Sequence, residues 1–131
     1  EHCDTAHDAV DFVGAAYDIL EPGGLLMLNC PDCLSWGKYF WSWDYTHNFV
    51  TTPMRVRNLL IDCGFESVLT RYMVLGITSP VLRIPLHAVL SLVPDFVFDA
   101  VGQALVPGSC GGFAVFGRRN FSIIGRKPER Y

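Results

Sequence analysis

The sequence predicts an α/β fold, and three observations carry that prediction. A capped amphipathic helix runs straight into a proline-glycine turn and a short continuous apolar stretch. A second capped helix ends on Gly64-Phe65 and is followed by another strand-like segment. The last apolar run, at 120–125, stands far from both. The chain has 131 residues, enough for one compact unit but not two. Half of it is hydrophobic and 18% is charged, which suits a packed core and argues against disorder.

Each element has a local cause. Thr5 with Asp8 three residues on resembles a capping box, the shorter acid replacing Glu. Val13, Ala16, Tyr17 and Leu20 then share one helical face, and Pro22-Gly23-Gly24 stops the helix. The run at 25–28 is too short for a helix, and its continuous apolarity predicts a strand buried on both faces. An aromatic-rich connection at 29–51 is long enough to suggest a functional loop. Thr52-Pro53 predicts the next helix start, Val56, Leu59, Leu60 and Cys63 its apolar stripe, and Gly64 its end, with Phe65 packing back. A strand is expected at 67–74. The segment 77–107 is strongly apolar but broken by Pro80, Pro85, Pro94 and Pro107. Two short helices, at 84–92 and 95–105, fit it better than a membrane span, since Asp95 and Asp99 interrupt it. A glycine-rich flexible connection is expected at 108–117.

Composition excludes several functions. Net charge is -3, and the basic group Arg118, Arg119, Arg126, Lys127 and Arg130 reads as a solvated strand end and tail. A nucleic-acid partner is therefore not expected. The five cysteines read as reduced thiols in a cytoplasmic protein. Cys30-Pro31-Asp32-Cys33 lacks the second pair that structural zinc wants. It continues into what reads as a loop, where a redox motif would open a helix.

Four motifs stand in order: Glu1-His2; Ile19-Leu20-Glu21-Pro22-Gly23-Gly24; Cys30-Pro31-Asp32; and Asp44-Tyr45-Thr46-His47 before Thr52-Pro53 and Asp62-Cys63-Gly64-Phe65. Together they resemble class I S-adenosylmethionine-dependent methyltransferases, in the broad group acting on small molecules, quinone-like lipids and glycans. The closing Phe121-Ser122-Ile123-Ile124-Gly125-Arg126-Lys127 resembles the last, antiparallel strand of that family. The resemblance implies a Rossmann-like sheet of which this chain supplies strands five to seven as a C-terminal portion. Residues 1–131 would be one partial domain, with 76–118 an apolar helical insertion or lid. That insertion could also serve as a dimer surface or touch a membrane face. The glycine-rich turn that cradles the cofactor and the acid that holds its ribose belong to the other half. The chain begins at Glu1 and is expected to be a piece that binds the cofactor poorly by itself. Sheet edges left exposed would favour homodimers or aggregates.

The implied activity is methyl transfer to a small acceptor, at oxygen, by holding donor and acceptor in line. The acceptor is a small molecule, a lipid-like molecule or a glycan. His47 is the first choice for the base, with His2 as the second catalytic candidate. Glu1 and His2 would lie near the cofactor. In some quinone-pathway members an acid and a Glu-His pair there bind a divalent cation, but the chemistry demands no metal and none is assigned. Asp32, Trp36, Asp44 and Tyr45 are the substrate-contact candidates. Asp32 could equally start a turn, Asp44 and His47 could simply hold the loop, and Trp36, Trp41 and Trp43 could be core. The rival reading is a non-catalytic α/β interaction fragment.

Overall fold

The computed structural model describes residues 1–42, 44–66, 69–74, 77–105 and 118–129. Helix α1 (Ala6–Ile19) starts at the expected capping box: Thr5 accepts from the Asp8 N–H, and the Asp8 carboxylate accepts from the Thr5 N–H. The stop also forms as read, with Gly23 at φ 79° and the Gly24 N–H donating to the Glu21 carbonyl. Strand β1 (Leu25–Pro31) follows, then two short helices within the aromatic connection, α2 (Cys33–Trp36) and α3 (Lys38–Ser42). That segment is therefore not the plain loop expected. Asp32 caps α2 and the buried rings of Tyr39 and Phe40 hold α3 down.

Helix α4 (Pro53–Asp62) starts on the Thr52 cap and buries Val56 and Leu60. Gly64, at φ 90°, reverses the chain so that Phe65 meets Tyr17 edge-on, 5.0 Å between ring centres. Strand β2 (Thr70–Met73) is shorter than the expected span, of which 67–68 lie outside the described residues. Helix α5 (Pro80–Leu92) begins four residues before the expected start at 84. Pro80 opens it, whereas Pro85 lies inside the helix, past the first ladder bond from Arg83 to Ser79, and leaves the Val81 carbonyl without its N–H partner. Helix α6 (Asp95–Leu105) matches its expected span. The expected connection at 108–117 lies outside the described residues. Among those residues no helix is long and apolar enough to cross a membrane.

Strand β3 (Asn120–Arg126) lies between the other two and runs antiparallel to both, so β1 and β2 run the same way. Leu28 faces Ile123 across one ladder and Thr70 faces Ile123 across the other. The helices α1 and α4 cover one face, and the core lies there, built on Val13, Val56, Leu60, Phe65, Phe121 and Ile123.

The other face corrects the expectation for β1. Leu25 and Met27 are 62% and 59% exposed, and β1 is an edge strand among the described residues. Continuous apolarity marked the strand correctly, but only Leu26, Leu28 and Cys30 point into the core. A second correction concerns Lys127. It is buried, not a solvated tail, and its ammonium donates to the last-turn carbonyls of α1 at Tyr17 (2.7 Å) and Leu20 (2.9 Å). Arg126 pairs with Glu129, and Arg130 lies outside the described residues. On α5 and α6, Val81, Leu82, Ile84, Leu92, Phe96 and Leu105 are all exposed. Helix α5 is tied down by Arg83, whose Nη1 donates to the Tyr72 carbonyl at 2.5 Å.

Candidate functional site

The carboxyl end of β1 is closed off by a neck of hydrogen bonds. The buried Thr51 hydroxyl donates to the Pro31 carbonyl at 2.7 Å, and the Cys33 N–H donates to the Thr51 carbonyl at 2.9 Å. The loop between them is thus pinned at both ends, and its interior is fixed by rings. Phe40, wholly buried, lies 5.0 Å from Trp41 and 5.0 Å from His47. The Trp36 indole N–H donates to Asn120 Oδ1 at 3.0 Å, which carries the loop across to β3.

This folding brings His47 beside His2, ring centres 5.0 Å apart, although 45 positions separate them in sequence. The Phe49 N–H donates to the Glu1 carbonyl and the Asn48 amide to Asp4, which ties the two segments together. Glu1, His2, Trp36, Asp44 and His47 line one cleft of about 380 Å³, with Asn29, Met73 and Asn120 completing its wall. Among the described residues it holds two carboxylates and two imidazoles, and no Lys or Arg lines it.

Two hydrogen-bond arrangements set the proton positions. His47 Nδ1 lies 2.6 Å from the Phe40 carbonyl, which can only accept. Nδ1 therefore carries the hydrogen, and the lone pair of the neutral ring is on Nε2. Thr46 donates its hydroxyl to Asp44 Oδ1 at 2.7 Å and also its N–H at 2.8 Å. The same hydroxyl oxygen then accepts from His2 Nδ1 at 2.7 Å. A chain Asp44–Thr46–His2 results, and His2 Nε2 faces a Glu1 carboxylate oxygen 3.5 Å away. The Thr46 hydroxyl, then its N–H, holds the Asp44 carboxyl below its ordinary value, so Asp44 is anionic at neutral pH.

Two of the candidates lie elsewhere. Asp32 is 2% exposed, caps α2 by accepting from the Leu34 N–H at 3.3 Å, and pairs with Arg119 at 3.2 Å. Tyr45 is 94% exposed and does not line that cleft. Trp41 is half exposed and Trp43 lies outside the described residues. The sequence reading missed Asn29, Met73 and Asn120. A polar side chain at the carboxyl end of an apolar strand was the available signal for Asn29.

The Cys30–Cys33 pair opens a helix after a strand, contrary to the sequence reading, yet its chemistry opposes redox use. Burial, and next the Glu1 charge, push the Cys30 thiol up to about 11. Burial likewise raises Cys33, whereas reactive thiols have lowered values.

The described residues do not build a cradle for S-adenosylmethionine. A class I cofactor loop would be a glycine-rich turn from a parallel strand into a helix, and no strand among the described residues is followed by one. An apolar hollow of about 190 Å³ beside the cleft, walled by Phe12, Leu28, Phe49 and Leu59, shares Glu1 and Asn29 with it.

No family model matches the chain. No curated protein matches it either. Among solved structures it is similar to a protein of Bacillus halodurans C-125 whose assignment as a methyltransferase is itself provisional. The TM-score is 0.48 at 17% identity, over 95% of this chain and 60% of that one. This chain thus spans less than two thirds of the neighbour's length.

Proposed function

We propose that the chain forms the acceptor side of an S-adenosylmethionine-dependent methyltransferase acting on a small hydroxyl-bearing molecule, with the cofactor held mainly by residues outside this chain. One observation carries the reading. Glu1 and His2 from the start of the chain, and Asp44 and His47 from the loop, meet in one cleft at the carboxyl end of β1. Ligands of open α/β sheets gather at that end of the strands.

The cofactor supplies an electrophilic methyl group, so the protein's tasks are orientation and removal of a proton. His47 is the proposed base. Its free Nε2 takes the acceptor's O–H proton as the oxygen gains the methyl carbon. Its Nδ1–H, held by the Phe40 carbonyl, keeps the ring aimed and stabilises the charge that forms. His2, backed by Thr46 and the Asp44 carboxylate, is the second proton acceptor. Glu1 lies beside His2 and on the wall shared with the apolar hollow, which suits a place near the donor. Trp36 presents an aromatic wall, and Asn29 is a polar contact for the acceptor. Asp32 acts on the acceptor only through the loop it caps.

The test is transfer of labelled methyl from S-adenosylmethionine to pooled small hydroxyl acceptors, by the chain joined to the sequence encoded upstream. His47→Gln is expected to lower turnover roughly 10²- to 10⁴-fold. No labelled product from the unaltered protein, or full activity in both His47→Gln and His2→Gln, would end the proposal.

A further inference from the structure

We infer that the pocket between β2, helix α5 and the start of β3 binds the phosphoryl group of a small organic phosphate monoester. Tyr72, Arg83, Ile84, His87 and Arg119 line a hollow of about 210 Å³ there. Arg83 and His87 stand four positions apart and so share one face of α5. Arg119 enters from the residue before β3. Both guanidiniums lie near the ring of Tyr72, 5.7 Å and 5.2 Å from its centre. Met73 and Asn120 line the carboxyl-end cleft, and their chain neighbours Tyr72 and Arg119 line this pocket, so the two hollows flank one corner of the sheet. They share no lining residue, and the inference stands apart from methyl transfer.

Charge and shape select the ligand. The chain carries a net charge of -3, yet among the described residues no carboxylate lines this pocket. A neighbouring hollow of about 350 Å³ shares Tyr72 and Arg83, adds Arg71, Thr70 and Thr78, and again has no carboxylate wall among those residues. Asp32 pairs with Arg119 Nη2 at 3.2 Å and answers one side of that guanidinium. Its buried Nε has no hydrogen-bond partner among the described residues. Arg83 spends Nη1 on the Tyr72 carbonyl and makes no other hydrogen bond among them. Two like charges set against one ring repel until an anion sits between them. Guanidinium forks match the oxygens of a phosphate in pairs. Burial first, then the charges of Arg119, Arg118 and Arg83, holds the His87 pKa below its ordinary value against the opposite pull of Asp32. At neutral pH the ring is therefore neutral and offers a phosphate oxygen one N–H. The remaining walls, Ile84 and the Tyr72 ring, suit an organic group rather than a bare ion.

The test needs neither methyl donor nor acceptor. Phenyl phosphate, inorganic phosphate and benzoate are titrated separately into the chain by calorimetry at neutral pH and low ionic strength. The chain is also mixed with phosphatidylcholine vesicles with and without phosphatidic acid. Saturable binding of one phenyl phosphate per chain is expected, about 5-fold or more tighter than either other anion. Arg83→Gln should weaken it roughly 10- to 100-fold. Because Arg83 also ties α5 to β2, a second pair of variants leaves that tie alone. Ile84→Glu, at a position 62% exposed, sets a carboxylate on the wall and should weaken binding at least about 10-fold with the circular dichroism unchanged. Ile84→Gln should stay within about 3-fold of the unaltered chain. No saturable phenyl phosphate binding would overturn the inference. So would benzoate or inorganic phosphate binding as tightly, capture by the phosphatidic acid vesicles alone, or equal affinity in Ile84→Glu and Ile84→Gln.

Discussion

Helix α1 has no basic residue in its last turn, and the cation that meets its carboxyl end comes from Lys127, just beyond β3. Replacing Lys127 with Met keeps the length and apolar stem of the side chain and removes the ammonium. Two bonds vanish, 2.7 Å to Tyr17 and 2.9 Å to Leu20, together with an ammonium 4.4 Å from the centre of the Tyr17 ring. Hydrogen bonds to charged groups are worth about 1.5–3 kcal/mol each. The helix-end attraction is part of the same contact and is not added again. Partial water access to the freed carbonyls and the apolar gain of Met offset some of the loss, leaving roughly 2–4 kcal/mol. Urea unfolding followed by far-ultraviolet circular dichroism measures it. With a slope of about 2 kcal/mol/M, the midpoint should fall by about 1–2 M at unchanged slope. Because the contact is buried, added salt should restore little of it. A loss under about 0.5 kcal/mol would refute the reasoning, since it would mean Lys127 is solvated after all.

Other consequences follow from single contacts. A Cβ at Gly125 would stand 3.0 Å from the Phe65 ring, so Gly125→Ala should cost about 1–3 kcal/mol in thermal unfolding, and Phe65→Leu in the same chain should recover part of it. Asp32→Ala removes the partner of Arg119 and the cap of α2 together; a loss of about 2–4 kcal/mol is expected in urea, with the neighbouring tryptophan fluorescence altered. Cys30, at about 11, has roughly 100-fold less thiolate near pH 8 than an ordinary thiol at 9.0, so iodoacetamide should reach it about that much faster once urea unfolds the chain. The sign on stability follows: the folded state holds the Cys30 proton longer than the unfolded one, so stability falls as pH rises past about 9 and the loss is complete beyond about 11. Stability that rose between pH 9 and 11 would contradict the burial of this thiol.

The parts of the fold that could be read in advance are those with local causes. The Thr5–Asp8 box, the turn at Gly23, the Thr52 cap and the reversal at Gly64 each depend on a few adjacent residues. What escaped depends on distant partners. Nothing near Lys127 announces that it serves a helix more than 100 positions earlier. The uneven burial of β1 also depends on which helices cover the sheet, and a run of apolar residues does not encode that. The site divides the same way. His2, Asp44 and His47 were chosen one by one for their chemistry, and their meeting was not readable because it needs Phe40 and Phe49 in place. Asp32 looked like a substrate contact because its partner, Arg119, enters from the far end of the sequence.

The strand on which the other two depend is also the one synthesised after them. Without residues 120–126, β1 and β2 have no ladder to join and would stay apart, since neither pairs with the other. Helices α1 and α4 can form early on a ribosome, but the surface they close over is completed only when residue 126 has emerged. Every inter-strand contact of the described sheet spans about fifty residues or more, so its assembly should be slow and exposed to premature sticking of Leu26 and Leu28. A chain cut before residue 120 should behave as a set of partly formed helices.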